Sequence, residues 1–314
     1  MQPFRAGRGL LQALALVVLA FVPVGLGQSP SVAKPEFDVA SVREDLPGGP
    51  ARSNFSLDNG NVFSVVEKKD VFTPAGTLFL AENQPLLAYI NFAYGLTGTQ
   101  YLSLRFKEYV GGSGNVPTWF GSKRFSIQAR ESGIVTKDQI RAMLRTLLED
   151  RFHLVTRWET RQVAVSGLVL AEPGKPGPHL RPHPSTDSCS EADDPPPGLP
   201  HACGVIAHLP PSGPGLVHFG GRNVTIALLA SSFPTQTGMM LLPHPVIDQT
   251  GLPGTYDFDL EYLPEPPPGE VPPPDAIGPS FQEALKRQLG FKLVSGKGPV
   301  EVLVIDHVDL PTAN

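Results

Sequence analysis

The chain has 314 residues, 41% of them hydrophobic, and a formal net charge of −5. That apolar content suffices for a packed core, and an acidic balance without a basic tract removes the electrostatic case for nucleic acid. The 35 prolines cluster, so they mark linkers and do not make the whole chain disordered.

Arg5 and Arg8 precede an apolar run from Leu10 to Val22, which Pro23 ends and Gly25-Leu26-Gly27 follows. This is the pattern of a secretory leader, residues 1–27, with cleavage before Gln28. The run falls short of the ~20 apolar residues of a membrane span, and the alternative is a retained anchor. No cysteine stands near the cleavage site, which argues against a lipid anchor. No later segment reads as a span, so the expected location is periplasmic or extracellular.

Phe37–Val42 alternates apolar and polar residues and predicts the first strand. Leu46–Asn61 reads as loop and Thr77–Leu80 as a short strand. Asn83 is expected to cap a helix whose core face carries Leu86, Leu87, Ile90, Ala93 and Tyr94, with Gly95 as its stop. Thr97–Pro117 is Gly-rich and reads as an irregular exposed insertion. Phe125, Ile127 and Ala129 alternate with Ser126, Gln128 and Arg130, a half-buried strand.

Thr136-Lys137-Asp138-Gln139 is a capping box. Ile140, Met143, Leu144, Leu147 and Leu148 then recur at core-facing helical spacing. Two strands, Phe152–Arg157 and Val163–Ala171, are expected to close this half. Pro173–Pro214 is rich in Pro, Gly, Ser and His and marks a break. A second half restarts at Val217–Phe219, with Asn223 expected to begin a helix bearing Ile226, Leu229 and Phe233. Val246–Gly254 runs from strand into turn, and Phe258 and Leu260 alternate with Asp257, Asp259 and Glu261. Glu265–Pro274 is a Pro-rich loop. Ser280-Phe281-Gln282-Glu283 is another capping box, and Gly290 ends its helix. Phe291–Val294 and Val300–Val308 are the last strands. Val302–Ile305 is apolar on both faces, so it is expected at the centre of a sheet.

The order of features repeats, which predicts an α+β fold of two similar β-α-β-α-β-β halves, an internal duplication. Mixed or antiparallel sheets would carry packed helices. The expected domains are 28–172, a linker at 173–215, and 216–314.

The chemistry is sparse. An exported chain with two cysteines predicts a disulfide between Cys189 and Cys203. The linker histidines, His179, His183, His201 and His208, fit no compact metal-finger spacing, and oxidised cysteines are not thiolate ligands. No metal and no cofactor is therefore expected. There is no nucleophile elbow, phosphate loop or dinucleotide fingerprint. Asp257, Asp259 and Glu261 share one strand face, which reads as the solvated side of a sheet or else as a weak cation or ligand contact. Trp119 is a core residue or a ligand anchor. Asp306 and His307 point to opposite faces of their strand and form no dyad.

Several of these motifs, taken in order, resemble a known family. They are Phe37–Val42, Phe92-Ala93-Tyr94-Gly95, Trp119 with Arg124-Phe125, Met143-Leu144 through Asp150-Arg151-Phe152, Asp248–Phe258, and Gly298–Glu301 with Ile305–Val308. The family is a large exported one of soil acidobacteria carrying a domain of unknown function. The resemblance implies a bacterial exported protein and supplies no reaction and no catalytic residue. A weaker likeness is to the short α+β modules at the N-termini of secretins and TonB-dependent receptors, which would imply a structural envelope component.

The favoured expectation is a non-catalytic binding or interaction module. Its partner would be a protein or envelope ligand, seated between the halves. The alternative is a secreted hydrolase or carbohydrate-active enzyme drawing its acids from Asp248, Asp257, Asp259 and Asp306.

Overall fold

The computed structural model describes residues 34–46, 48–54, 57–59, 77–106, 109–110, 114, 116–187, 189, 196, 198–237, 242–266 and 277–312. The expected leader, 1–27, and most of the Pro-rich loop at 265–274 lie outside the described residues. Residues 34–314 form one compact unit, α+β in class, with five α-helices among the described residues.

The first sheet is built from β1 (Val39–Asp45), β2 (Arg52–Ser53), β3 (Thr77–Pro85) and β4 (Arg124–Glu131), in the order β1-β4-β3-β2, with all pairs antiparallel. Helices α1 (Leu86–Tyr94) and α3 (Lys137–Phe152) pack on it. The Thr136 capping box forms as expected, because Thr136 Oγ1 accepts from Gln139 N while Gln139 Oε1 accepts from Thr136 N. Phe79, Ile90, Phe125, Ile127, Leu144 and Phe152 fill the core between sheet and helices.

The second sheet uses β6 (Leu180–Pro182), β7 (Val205–His208), β8 (Val217–Thr225) and β10 (Thr255–Tyr262), in the order β6-β10-β8-β7, again antiparallel. Helix α4 (Ile226–Thr237) and α5 (Phe281–Ala284), which continues as a π-helical turn over Leu285–Leu289, cover it. Phe219, Phe233, Phe258, Leu260, Phe281 and Leu285 form that core. Counted within each sheet, the chain visits the strands in one spatial order: first, fourth, third, second. Strands β6 and β7 come from the 173–215 segment.

The third sheet joins the other two. β5 (Val155–Leu170) and β11 (Phe291–His307) pair antiparallel along their whole length, from Phe291 opposite Leu170 to His307 opposite Val155. Short β9 (Val246–Asp248) adds to β5 in parallel. Leu303 and Ile305 of β11 enter the first core. Leu168 of β5 and Phe291 of β11 enter the second. Val300, Val302 and Val304 turn the other way and bury a third cluster with Val165 and Leu102. Gly298 lets this ladder take β9 closely, because a Cβ there would lie 2.7 Å from Ile247 Cδ1.

Four expectations are corrected. Each half closes with one long strand, not two short ones, so the unit is not β-α-β-α-β-β. The polar runs Trp158–Gln162 and Ser295–Pro299 break the apolar alternation but not the ladder. Val302–Ile305 is not at the sheet's centre, because β5 is. Packed clusters bury both faces of the strand instead, and beside it, among the described residues, stands a single bridge from Gly114 to Ile305.

The 97–117 segment is not irregular throughout, since it contains α2 (Gly98–Arg105). A capping box between Thr97 and Gln100 starts this helix, and Leu102 and Leu104 are buried. Asn83 and Asn223 do not cap helices. Pro85 precedes α1 without a side-chain cap, and Thr225 Oγ1 accepts from Leu228 N at the start of α4.

If β11 is the tie between the cores, Leu303→Ala lowers unfolding free energy by about 2–5 kcal/mol, the range for emptying a buried leucine site. Glu301→Ala, exposed two residues earlier, changes it by less than ~0.5 kcal/mol. Urea unfolding of the two variants measures both.

Candidate functional site

The strands that run directly into α1 and α4, β3 and β8, each carry a bulge. On β3, Glu82 and Asn83 oppose the single Ser126 of β4. On β8, Arg222 and Asn223 oppose the single Asp257 of β10. Asn83 has φ 52° and Asn223 φ 56°, a left-handed conformation that asparagine tolerates better than most residues. A bulge turns backbone donors out of the ladder toward side chains. The Asn83 N–H donates to Ser126 Oγ at 3.2 Å and Asp45 Oδ2 at 3.0 Å. The Asn223 N–H donates to Asp257 Oδ1 at 2.9 Å.

Over the first bulge lies a polar cleft of about 310 Å³, lined by Arg43, Asp45, Arg52, Glu82 and Ser126 among others. Asp45 Oδ2 also accepts the Ser126 hydroxyl at 2.5 Å, and Arg43 reaches Oδ1 at 3.2 Å. Sequence reading missed Asp45. The matched asparagines were the available signal, because their N–H groups need acceptors once they leave the ladder.

The second bulge is covered by the segment that leads into β6 and β7. The predicted acids of β10 are brought to the predicted histidines. His183 Nδ1 lies 2.7 Å from Asp257 Oδ1, and His179 Nδ1 lies 2.8 Å from Asp259 Oδ2. His218, on β8, has its Nε2 3.7 Å from Asp259. Glu261 accepts from both N and Oγ of Ser212 at 2.5 Å. The acid row is thus a covered face, with Asp257 only 8% exposed, and not the solvated side of a sheet.

The expected disulfide between Cys189 and Cys203 is present beside His183. Arg222, buried in its bulge, forms a two-armed ion pair with Asp187, Nε to Oδ2 at 2.8 Å and Nη2 to Oδ1, and also donates to the His201 carbonyl. The Arg222 hydrogen bonds, helped by the Cys189 N–H, hold the Asp187 carboxyl below its ordinary range.

A second cleft, of about 280 Å³, opens where α1, α2 and residues 57–59 meet α4 and β7. Its walls carry Leu57, Ile206 and Leu228 beside Asn59, Asn91 and Thr235, with Tyr101 at the side. Gly98 sets its base. A Cβ there would overlap the Ser231 carbonyl, so α2 sits directly on the backbone of α4. Among the described residues the Gln236 side-chain carbonyl, buried in this wall, has no hydrogen-bond partner. The one carboxylate among the lining residues, Asp58, is paired with Lys137.

The other predicted residues fall elsewhere. Trp119 packs partly buried on the first core, its ring edge-on to Phe125 at 6.2 Å, and lines neither of these clefts. Asp306 is held by Arg157 on the outer ladder at 3.1 Å, and Asp248 Oδ1 accepts from Thr250 N and Oγ1. The acids considered for an enzyme therefore lie on two different sheets, each with its own partner. Among the described residues no helix is long and apolar enough to cross a membrane.

The α+β body with its bulge sites and cleft belongs to a recognised family. Residues 87–308 match the family described as a protein of unknown function, DUF3738, and the chain is a member of it. No curated protein matches the chain. No solved structure matches it either.

Asp187 yields a signed pH prediction. Its carboxyl is depressed in the fold, so its contribution is fully present above the unfolded value of about 3.9 and fades as pH falls through the lower folded value. Asp187→Asn should therefore lose stability at pH 7 and show a flatter loss below about pH 4 than the unsubstituted chain, read from thermal midpoints across pH.

Proposed function

We propose that this is an exported, non-catalytic binding protein that holds a small uncharged ligand in the cleft between α2 and α4. The cleft's composition carries the reading. Apolar walls of Leu57, Ile206 and Leu228 are combined with neutral amide and hydroxyl groups, and one buried acceptor, the Gln236 side-chain carbonyl, is unmatched. Ligand sites are largely apolar with a few placed polar groups. An unpaired buried acceptor is costly until a donor reaches it. A ligand rich in hydroxyl or amide groups, such as a neutral sugar unit, supplies that donor. Among the described lining residues, the pairing of Asp58 with Lys137 leaves no acid–base couple aimed at such a ligand, which favours binding over turnover.

The body would be two copies of one unit, 28–172 and 216–314, the second completed by β6 and β7 of the 173–215 segment, with a leader at 1–27. Support comes from the shared strand order and from the paired bulges at Asn83 and Asn223. The capping boxes at Thr136 and Ser280 precede equivalent helices. The disulfide fits an oxidising location outside the cytoplasm, periplasmic or extracellular. An acidobacterial source follows from the resemblance noted for the sequence motifs.

Titration calorimetry with a panel of neutral mono- and disaccharides tests the binding reading. At least one should bind, and Leu228→Trp, which fills the cleft, or Gln236→Ala should weaken it by at least about tenfold, ~1.4 kcal/mol. No binding across the panel, or binding indifferent to both substitutions, contradicts it.

A further inference from the structure

The second bulge holds a buried imidazole whose far nitrogen faces a disulfide sulfur. The His183 side chain is 6% exposed. Its Nδ1 faces a carboxylate oxygen of Asp257, which only accepts, so Nδ1 carries the ring proton. Nε2 then faces Cys189 Sγ at 3.7 Å. Among the described residues the nearest other charges are Asp187, with Oδ2 4.0 Å from Nε2, and Arg222 of β8, which engages that carboxylate. The Asn223 side-chain amide donates toward the same sulfur at 3.4 Å.

A disulfide sulfur has no proton to give to Nε2 and is a poor acceptor for an amide. Both contacts become strong once Cys189 is reduced. Its S–H then donates to Nε2, and its thiolate accepts from the Asn223 amide and lies beside an imidazolium. The two cysteines are also unequal, since Cys203 is 4% exposed while Cys189 is partly open to solvent. A purely structural bridge requires neither the paired imidazole nor this asymmetry.

We infer that Cys189–Cys203 is an exchange-active disulfide that oxidises dithiol substrates, with Cys189 as the attacked sulfur and His183 as its proton partner. One substrate thiolate attacks Cys189 Sγ. The bond to Cys203 breaks, and Cys203 leaves as a thiolate and takes up a proton. The second substrate thiolate then attacks the substrate sulfur bound to Cys189. That bond breaks, and Cys189 leaves as a thiolate held by the Asn223 amide, while His183 Nε2, having taken the proton of the second substrate thiol, passes it to Cys189. The substrate gives up two electrons and two thiol protons and becomes a disulfide, and the chain becomes a dithiol.

The test uses the whole chain, reduced with dithiothreitol and desalted. Iodoacetamide labelling of Cys189 is followed by mass spectrometry across pH. Cys189 should label with a pH midpoint below the ordinary thiol value of about 8.5. His183→Gln should move that midpoint up and slow labelling at pH 6 by about tenfold. A Cys189 midpoint at or above the ordinary value, or one indifferent to His183→Gln, overturns the inference. In a second assay the oxidised, unsubstituted chain is mixed with a peptide carrying two cysteines. Stoichiometric conversion of the peptide to its disulfide supports the inference, and an inert bridge overturns it even if the variant does not fold. Neither readout involves the α2–α4 cleft.

Discussion

The β5–β11 ladder is the constraint on which the rest of the molecule depends. β11 starts in the second core and ends in the first, and β5 pairs with it throughout, so the same backbone pairing ties both. Leu303 and Ile305 complete the first core, and Phe291 and Leu168 complete the second. The remaining apolar face, Val300, Val302 and Val304, is covered by Leu102 of α2. That contact seats α2 against the ladder, and Gly98 then lets it rest on α4. The cleft between α2 and α4 thus follows from the ladder. With either strand displaced, its walls would have no fixed separation.

The paired bulges are the second organising feature. A bulge frees one backbone N–H from the ladder, and a left-handed asparagine aims it at the neighbouring strand. In the first sheet the acceptors are Ser126 and Asp45, and the result is a polar cleft open to solvent. In the second sheet the acceptor is Asp257, and the 180–208 segment closes over it with His183, the disulfide and the Asp187–Arg222 pair. One backbone device therefore carries two different chemistries. The charge in the second is buried, so its ion pair has structural weight that an exposed pair would lack.

Most local signals in the sequence were reliable, the expected helix starts at Asn83 and Asn223 excepted. The capping boxes at Thr136 and Ser280, the alternation of Phe125, Ile127 and Ala129, and the stop at Gly95 each depend on residues within a turn or two, and each is found. Features defined by distant partners were not legible. Strands of two to four residues, such as β2, β6 and β7, are too short to show a period. Helix α2 is stabilised by packing on α4 and β11, and its apolar residues follow no clear stripe. The polar middles of β5 and β11 fell between the expected strands because a ladder is held by backbone groups that the side-chain pattern does not report.

At the candidate site, Asp257, Asp259 and Glu261 could be placed on one face from sequence alone, and the Cys189–Cys203 pairing followed from two cysteines and a leader-like start. The coverage of that face could not be foreseen. His179 and His183 stand 80 and 74 residues from their partners, and only the antiparallel pairing of β6 with β10 brings them together.

Native-state hydrogen exchange tests the central claim, that the ladder couples the two cores, most directly. The slowest amides of α3 in the first core and of β10 in the second should exchange with one common opening free energy, and the amides of Val302–Ile305 should share it. Separate opening energies for α3 and β10, with the ladder exchanging faster than either, would contradict the account.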